Sequence, residues 1–307
     1  EVLFAIGAGD QVEAVDSLSN FPGSAPVDAN LSAFTPSIEA IAAYDPDLVF
    51  LSFDPNGDIV PGLETLGIPV ILHGTAIDLS DAYSQWEQTG AATGHIAEAA
   101  ALVTETQAAL DELAGEVPDV AMDMTYYYEL DPSYYSATSA TFIGGLLAPT
   151  GLTNIADDND PDGWGYPQLS AEVIIDADPS LILLADTKCC GQTAATVAER
   201  PGWDAMGAVA QGNVVELDDD IASRWGPRVV DLVEDVVVVI LQVELQNTCA
   251  LRAPHPPTVR GPGCWARSAS LRHRSRSLRW WDRSPLTRWG SSCRAWIDCP
   301  SSTSIRA

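Results

Sequence analysis

The sequence SIEAIAAYDPDLVFL at residues 37–51 occurs a second time, with substitutions, as SAEVIIDADPSLILL at residues 170–184. The two copies align without a gap at an offset of 133 positions, with identical Ser, Glu, Ile, Asp, Pro and two Leu residues. Each copy predicts a helix that a serine caps, an Asp-Pro pair that ends the helix, and a buried strand. A chance match is the alternative, and the agreement of helix, turn and strand at one offset argues against it. The repeat therefore predicts two similar α/β lobes.

Short apolar or β-branched runs between helical patterns predict the strands of these lobes. They lie at residues 12–16, 48–52, 70–73, 120–128, 181–185 and 214–217. Runs that are apolar on both faces and alternate with helices indicate parallel sheets covered on two sides. A helical pattern without proline fills residues 79–116, and it is too long for a crossover helix of about 11 or 12 residues. The sequence thus predicts an α/β fold with lobes at residues 1–78 and 118–240, joined by one long helix at residues 79–117.

The charge of the chain is divided between an acidic body and a basic tail. The whole sequence has 43 acidic and 15 basic residues, which gives a formal net charge of −28. Residues 1–243 contain 40 of the acidic residues and four cations, whereas residues 244–307 contain 11 Arg and three acidic residues. A body this acidic repels polyphosphate, so general nucleic-acid binding by it is excluded. The acidity also fits a salty habitat.

Both ends of the chain differ from the pattern of the body. Residues 241–307 contain five of the nine Trp and four of the six Cys, without helical or strand periodicity. We interpret them as a basic irregular tail from a translated frameshift, and the alternative is a basic arm for anionic lipid or nucleic acid. The chain opens inside an apolar pattern and shows no signal segment, so we expect an opening strand and any targeting segment to precede Glu1.

Three segments in order resemble one family of binding proteins. They are EVLFAIGAGD at residues 1–10, PSIEAI with DPDLV within residues 36–49, and YPQLSAE at residues 166–172. Together they resemble the helix-linked (class III) substrate-binding proteins of ABC importers for ferric siderophores, haem and cobalamin. The resemblance covers about residues 1–238. It implies two Rossmann-like lobes joined by a helix, with a ligand cleft between the lobes at the carboxyl ends of the strands.

The resemblance also implies a function. It implies an extracytoplasmic protein that captures a ferric siderophore or cobalamin, delivers it to a membrane permease and catalyses no reaction, as a monomer without a cofactor. Glu39 and Glu172 stand at equivalent helix starts, where a carboxylate also stabilises a helix through its dipole. In this family a Glu at this position of each lobe faces the permease. We therefore predict that both residues dock the permease.

Cations and loop aromatics are the candidate ligand contacts. Lys188 follows a predicted strand, and Arg224 matches a loop position that often faces ligand in this family. A guanidinium there would bind a carboxylate, a hydroxamate oxygen or a phosphate. We expect Arg200 and Arg228 to be paired with acids or solvated. Aromatic rings would stack on a flat ligand. The loop aromatics are Phe34, Phe53, Tyr134, Tyr135, Trp164, Tyr166 and Trp225.

Other chemistry has weaker support in the sequence. His73 and His95 have no partners at metal-ligand spacing, which disfavours a zinc or manganese site. The GAG at residues 7–9 lacks the third glycine of a dinucleotide fingerprint and fits a helix-end turn. The acidic run at residues 157–163 lacks the closing Glu of a calcium loop, so we interpret it as a solvated loop.

The remaining alternatives concern the cysteines and the class of protein. The adjacent Cys189 and Cys190 either form a strained disulfide outside the cell or remain thiols. A metal-ion-binding or partner-binding module of the same fold stays the alternative function. An intracellular α/β enzyme is a third class, for which the sequence shows neither a convergent nucleophile and base nor a phosphate loop.

Overall fold

The computed structural model describes the backbone of residues 1–252 and the burial of side chains up to residue 246. Its strands are β1 (Val49–Leu51), β2 (Val70–Leu72), β3 (Thr125–Glu129), β4 (Thr153–Asn154), β5 (Leu181–Leu184) and β6 (Val214–Glu216). Its α-helices are α1 (Val2–Ala5), α2 (Ile38–Ala42), α3 (Ile59–Thr65), α4 (Leu79–Thr93), α5 (Ile96–Glu116), α6 (Phe142–Leu147), α7 (Ala171–Ala177), α8 (Ala194–Ala198), α9 (Gly207–Gln211), α10 (Asp219–Ala222) and α11 (Val229–Arg252). The predicted tail lies outside the described residues from residue 253 onward.

The strands form two separate parallel sheets. β1 pairs with β2 in the first lobe, and the second lobe has the order β4-β3-β5-β6. In the second sheet Tyr126 lies opposite Leu181, and Leu183 lies opposite Val215. Every pair of neighbouring strands is parallel. The predicted α/β class with parallel sheets is therefore confirmed.

The sequence repeat is also a repeat of backbone structure. Ser37 and Ser170 cap α2 and α7, each accepting a bond from the N–H three residues later. The helices are followed by Asp45 at φ +49° and Asp178 at φ +40°, because aspartate tolerates the left-handed conformation better than most residues. β1 and β5 then begin within four residues of these turns. The predicted order of helix, turn and strand is thus confirmed in both copies.

The predicted single helix at residues 79–117 is wrong in one respect, because two helices fill this range. Asp78 caps α4 by accepting from the N–H of Asp81. α4 ends at Gly94, whose φ of +78° is the left-handed ending that glycine favours. α5 follows and packs on α4 at Gly90, where an added Cβ would lie 2.4 Å from the Cβ of Ala99. The pattern contains no proline, and a single left-handed glycine is enough to divide it.

Several predicted element boundaries differ from the structure. Residues 12–16 form no strand, since Val15 makes only an isolated bridge to Val27 among the described residues. The strand predicted at 120–128 begins at Thr125, after a 3₁₀ turn. β4 was not predicted, because two residues are too short to show a pattern. At the start of the chain Gly7 follows α1 with φ +86°, which confirms the helix-end turn.

The last helix is longer than predicted. α11 continues to Arg252, whereas the second lobe was expected to end at residue 240. Its buried positions include Val233, Val236 and Ile240, which pack in the main core with α4 and α5. Although α11 is rich in valine, no helix within residues 1–252 is long and apolar enough to cross a membrane.

The core is concentrated around the second sheet. All four residues of β5 are buried. Leu181 and Leu183 face the main core, while Ile182 and Leu184 face a second cluster on the opposite side. The first lobe has a small cluster of its own around Ile59, Leu63 and Ile68. A sheet buried on both faces is the more rigid base for a binding site.

Candidate functional site

The carboxyl ends of the second sheet carry several of the residues predicted to touch ligand. Tyr134 and Tyr135 follow β3, Lys188 follows β5, and Arg224 and Trp225 follow β6 and α10. In a parallel sheet the carboxyl ends of the strands meet at one edge, where open α/β folds place their ligands. We call this edge, with the loops that leave it, the candidate site.

Asp219 organises the loop after β5. Its carboxylate accepts from the N–H groups of Thr187 at 2.8 Å, Lys188 at 2.9 Å and Cys189 at 2.7 Å. Burial alone would raise the pKa of Asp219, but these bonds together hold it below its ordinary value. One ionised carboxylate on α10 therefore fixes the backbone that presents Lys188.

The two predicted cleft cations are already paired with acids. Lys188 Nζ contacts the carboxylate of Asp218 and lies 2.8 Å from Asp220. Arg224 Nη2 lies 2.5 Å from the other oxygen of Asp220. With Asp219, the group contains two cations and three carboxylates. The candidate site thus has a slight negative charge where the sequence suggested a positive one.

A hydrogen-bonded ribbon, formed by the segments around Tyr135 and Gln168, carries aromatic residues of the second lobe. Tyr135 bridges to Gln168 in antiparallel fashion. Asp160, from the acidic run interpreted as a solvated loop, accepts from the N–H groups of Trp164 at 3.1 Å and Gly165 at 2.6 Å. The Asp160 carboxylate therefore holds the backbone of this loop and positions Trp164.

Trp164 and Tyr166 form an aromatic pair at this ribbon. Their ring centroids are 5.7 Å apart in an edge-to-face arrangement. Trp164 is 67% exposed, whereas Tyr166 is partly buried against the main core, and this burial raises its pKa. An indole exposed to this extent beside an anchored phenol offers a ring face for stacking on a flat ligand.

Two other predicted aromatics have structural partners. The ring of Tyr134 stacks on buried Trp203 at 5.7 Å with an interplanar angle of 24°. The indole N–H of Trp225 donates to Gln85 Oε1 at 3.0 Å, and its carbonyl accepts from Trp86 at 3.2 Å. Tyr134 therefore belongs to the second core cluster, and Trp225 joins the candidate-site loops to α4.

The predicted aromatics of the first lobe lie on its surface. Phe34 precedes α2 and is 68% exposed, and Phe53 follows β1 and is 49% exposed. His73 follows β2, and its Nε2 has no hydrogen-bond partner among the described residues. Burial lowers the pKa of His73 despite the nearby Gln88. Within residues 1–252, no three His, Cys, Asp or Glu residues come together to hold a metal ion.

Glu39 and Glu172 have equivalent surroundings in the two lobes. Each lies exposed in the first turn of its helix, α2 or α7. The N–H of each residue, and then the hydroxyl of Ser37 or Ser170, lowers the pKa of the carboxyl group. Both side chains are thus ionised and presented to solvent in the same way.

Sequence reasoning missed a buried acid cluster behind the candidate site. Glu129 ends β3 with no exposed surface, and both its oxygens accept from Arg200 at 2.6 Å. Asp186, two residues after β5, is equally buried, and neither of its oxygens has a donor among the described residues. Burial and the neighbouring Glu129 raise the pKa of Asp186 to about 7. The sequence contained one signal for this cluster, which is an acidic residue directly at the end of an apolar strand.

The expectation for the remaining cations is confirmed. Arg200 pairs with Glu129, and Arg228 contacts the carboxylate of Glu1. Arg228 also lies 4.0 Å from the ring centre of Phe21. Both arginines are therefore occupied inside the protein.

A cavity of about 330 Å³ lies at the opposite edge of the second sheet. Its lining includes Met124, Ser180 and Asn213, which directly precede β3, β5 and β6. It is therefore at the amino ends of the strands and contains none of the predicted ligand contacts.

Comparison with known proteins identifies the family. A model described as "Periplasmic binding protein" matches residues 1–221. The chain belongs to this family. The resemblance noted in the sequence is thus confirmed, and the protein is a substrate-binding protein rather than an enzyme.

Individual relatives agree with this assignment. An uncharacterized ABC transporter substrate-binding lipoprotein, YvrC of Bacillus subtilis (strain 168), is 27% identical over 77% of this chain and 75% of its own length. A cobalamin-binding protein of Halobacterium salinarum is 29% identical over 75% of this chain and 64% of its own length. The structure of the periplasmic haem-binding protein RhuT from Roseiflexus sp. RS-1 superposes with a TM-score of 0.69, at 20% identity, over 78% of this chain and 94% of that chain. This chain therefore has the two-lobed fold of periplasmic binding proteins. It is a substrate-binding protein of an ABC transporter.

Proposed function

We propose that this binding protein captures a cobalamin-type corrinoid outside the cytoplasmic membrane and, as a monomer, delivers it to an ABC permease through Glu39 and Glu172. A ferric siderophore is the alternative ligand. The observation that carries the choice of ligand is the pairing of Lys188 and Arg224 with Asp218 and Asp220.

The charge of the site favours a ligand without strong negative charge. Ferric catecholates are anions, and haem carries two propionates, so each would bring its carboxylates or phenolates toward Asp218, Asp219 and Asp220. A corrinoid instead presents a flat ring surrounded by neutral amides. Amide N–H groups can donate to carboxylates, and the ring can stack on Trp164. The relative that is named a cobalamin-binding protein supports the same choice.

A titration of the full-length protein tests the ligand. Cyanocobalamin, a ferric hydroxamate, a ferric catecholate and haem are titrated while tryptophan fluorescence is recorded. We expect saturable quenching by cyanocobalamin, and an affinity about fivefold lower for Trp164→Ala or Tyr166→Ala because each variant loses a stacking contribution of roughly 1 kcal/mol. The control is Met122→Ala, since Met122 is 73% exposed at the opposite edge of the sheet. Saturable binding of another of these ligands, and not of cyanocobalamin, would overturn the corrinoid assignment.

The salt dependence of binding provides a second test of the ligand's charge. If the ligand is uncharged overall, its affinity should change less than about twofold between 0.2 and 1 M salt, because screening acts on charge–charge interactions. A steep loss of affinity with salt would point to an anionic ligand held by Lys188 and Arg224.

The permease surface is tested by charge reversal. Glu39→Lys and Glu172→Lys should each keep full cyanocobalamin affinity but fail to stimulate ATP hydrolysis by the cognate permease in lipid vesicles, since each reverses an exposed charge. Asp176→Lys is the matched control, because Asp176 is exposed on the same helix as Glu172. Equal stimulation by all three variants would remove the two glutamates from the docking surface.

A further inference from the structure

Two adjacent cysteines stand at the candidate site without a part in the proposed function. Cys189 and Cys190 are both exposed, and neither forms a disulfide within the part of the chain that the structure describes. They directly follow Lys188 in the loop between β5 and α8. Exposed thiols of a protein that works outside the cytoplasm meet oxidising conditions.

The loop is attached to the protein on both sides of the pair. The N–H of Cys189 donates to Asp219 Oδ2 at 2.7 Å, and the N–H of Cys190 donates to the carbonyl of Asp186 at 3.3 Å. Gly191 follows with φ +68° and open space around it. The peptide between the cysteines thus holds the loop in place, while the next residue leaves room for it to turn.

We propose that Cys189 and Cys190 are a reversible redox pair, in which a small-molecule disulfide closes an intramolecular disulfide and thereby releases the loop that presents Lys188. One protein thiolate attacks the small disulfide, forms a mixed disulfide and expels one small thiolate. The second protein thiolate attacks the protein sulfur of that mixed disulfide and expels the other. The two protein thiols are oxidised, the small disulfide is reduced to two thiols, and the two protein protons pass to the expelled thiolates.

Ring closure between neighbours must disturb the loop. Adjacent Cα atoms are about 3.8 Å apart, whereas disulfides usually join Cα atoms about 4.4–6.8 Å apart. The peptide between Cys189 and Cys190 therefore has to twist, and the N–H bonds to Asp219 and Asp186 cannot both survive. A strained, exposed disulfide is also readily reduced again, which makes the change reversible.

The electrostatic surroundings of Cys189 also affect the equilibrium between the dithiol and the disulfide. Partial burial, the Cys190 thiol and the carboxylate of Asp219 raise the pKa of the Cys189 thiol to about 12. Because the thiolate is disfavoured, the reduced pair gains no stability by ionising, and the disulfide is correspondingly favoured. Attack by this thiol is slow for the same reason, so the oxidant is used in excess.

Peptide mapping tests the redox reaction without any ligand. The full chain is incubated with oxidised glutathione, free thiols are blocked with N-ethylmaleimide, and the protein is digested with trypsin. Trypsin cuts after Lys188 and Arg224 but not before Pro201, so both cysteines fall in one peptide, residues 189–224, which contains no other cysteine. We expect an unblocked peptide about 2 Da lighter than the dithiol, restored by dithiothreitol. A peptide that keeps glutathione, is blocked at both thiols, or is linked to another cysteine would overturn the proposal.

Matched variants separate ring closure from simple thiol modification. Cys190→Ser has one thiol and should hold glutathione as a stable mixed disulfide. In wild type, oxidation should speed hydrogen exchange of the amides of residues 187–190 about tenfold or more, because their bonds to Asp219 and Asp186 are lost. In the double variant Cys189→Ser/Cys190→Ser, oxidised glutathione should leave the exchange of these amides unchanged. Unchanged exchange in the oxidised wild type would overturn the release of the loop.

The effect on binding rests on the proposed function, as does the oxidising environment outside the cytoplasm, whereas mapping and exchange do not. Oxidation should lower the cyanocobalamin affinity of wild type about threefold or more and leave that of the double variant unchanged. If the reduced protein binds no cyanocobalamin, the proposed ligand is wrong, while mapping and exchange still decide the redox pair. If it binds and oxidation has no effect, the link between the pair and the site is wrong.

Discussion

Asp186 is a residue at which burial conflicts with charge. Its carboxyl group has no exposed surface and no hydrogen-bond donor among the described residues, while the neighbouring Glu129 is held by Arg200. A buried carboxylate without a donor is costly, so Asp186 is stable as the neutral acid, which can donate to Glu129. Its pKa of about 7 agrees with this protonated state.

The first prediction concerns the pH dependence caused by Asp186. With a pKa of about 7 in the folded protein and 3.8 ordinarily, Asp186 keeps a proton that the unfolded chain releases. The free energy of unfolding should therefore fall as pH rises from about 4 to 7 and change no further from this cause. Asp186→Asn stays neutral at every pH, so it should lack this part of the slope and be more stable than wild type by roughly 4 kcal/mol at pH 8.

Urea unfolding of both proteins at several pH values measures this difference. The control is Asp204→Asn, because Asp204 is exposed in the same lobe and should leave the slope unchanged. A difference between Asp186→Asn and wild type that is the same at pH 4 and pH 8 would show that Asp186 does not hold the proton.

The sequence predicted where the single cations lie in the fold, but it did not predict which acidic residues they pair with. Lys188 could be placed at a strand end because an apolar run and the residue after it are adjacent in the chain. Its pairing with Asp218 and Asp220, about 30 residues away, depends on β6 lying beside β5. The same holds for Arg200, which was expected to be paired with an acid or solvated, and whose partner Glu129 lies in β3.

Among the elements, α4 and α5 pack so closely at Gly90 that a single added side chain tests their contact. At Gly90 a Cβ would lie 2.4 Å from the Cβ of Ala99 and 2.8 Å from the carbonyl oxygen of His95. Glycine is therefore required here for close approach, and the pair of helices depends on it. α5 in turn packs with α11 in the main core.

The second prediction is that Gly90→Ala destabilises the protein by roughly 1–3 kcal/mol, the usual cost of overpacking. Thermal unfolding followed by circular dichroism measures the change. Gly115→Ala is the matched control, because Gly115 is also in a linking helix but has nothing within 4 Å of an added Cβ. It should be neutral or stabilise by up to about 1 kcal/mol, since alanine is the better helix former. Equal effects of the two variants would mean that α4 and α5 are not tightly packed at Gly90.

Element boundaries illustrate why the helical pattern was only partly informative. Periodicity and the absence of proline identify α4 and α5 as helical, and Gly94 is visible in the sequence. An isolated glycine is tolerated in many helices, however, and ends this one because its left-handed conformation lets α5 turn back onto α4. The packing across Gly90 stabilises the two separate helices.

At the scale of the whole molecule, the excess of acidic residues is the dominant property. Residues 1–243 contain 40 acids and four cations, and all four cations are paired with carboxylates in the structure. The remaining carboxylates of residues 1–243 far outnumber these cations and repel one another. Salt weakens this repulsion because the Debye length shortens from about 10 Å at 0.1 M to about 3 Å at 1 M.

The third prediction is that the melting temperature rises steeply with sodium chloride between 0.05 and 1 M and more slowly above, because self-repulsion of the folded state is screened. Differential scanning calorimetry of the full chain measures the change. Sucrose at matched osmolality controls for the general effect of excluded solutes. A melting temperature that follows sucrose and salt equally would show that charge repulsion is not the cause.

The sequence alone determined the class of fold and the duplicated lobe, because these depend on periodicity, on capping and turn residues, and on a repeat, all of which are local along the chain. The family followed from the resemblance of three segments to known binding proteins. The sequence also determined the positions of Glu39 and Glu172, since helix starts have local signals. Only the tertiary structure decided which charges meet. The pairing of Lys188 and Arg224 through Asp220, and the placing of Asp186 beside Glu129, arise where the ends of β3, β5 and β6 converge. Contacts between distant segments depend on how the sheet is assembled, and no local pattern records them.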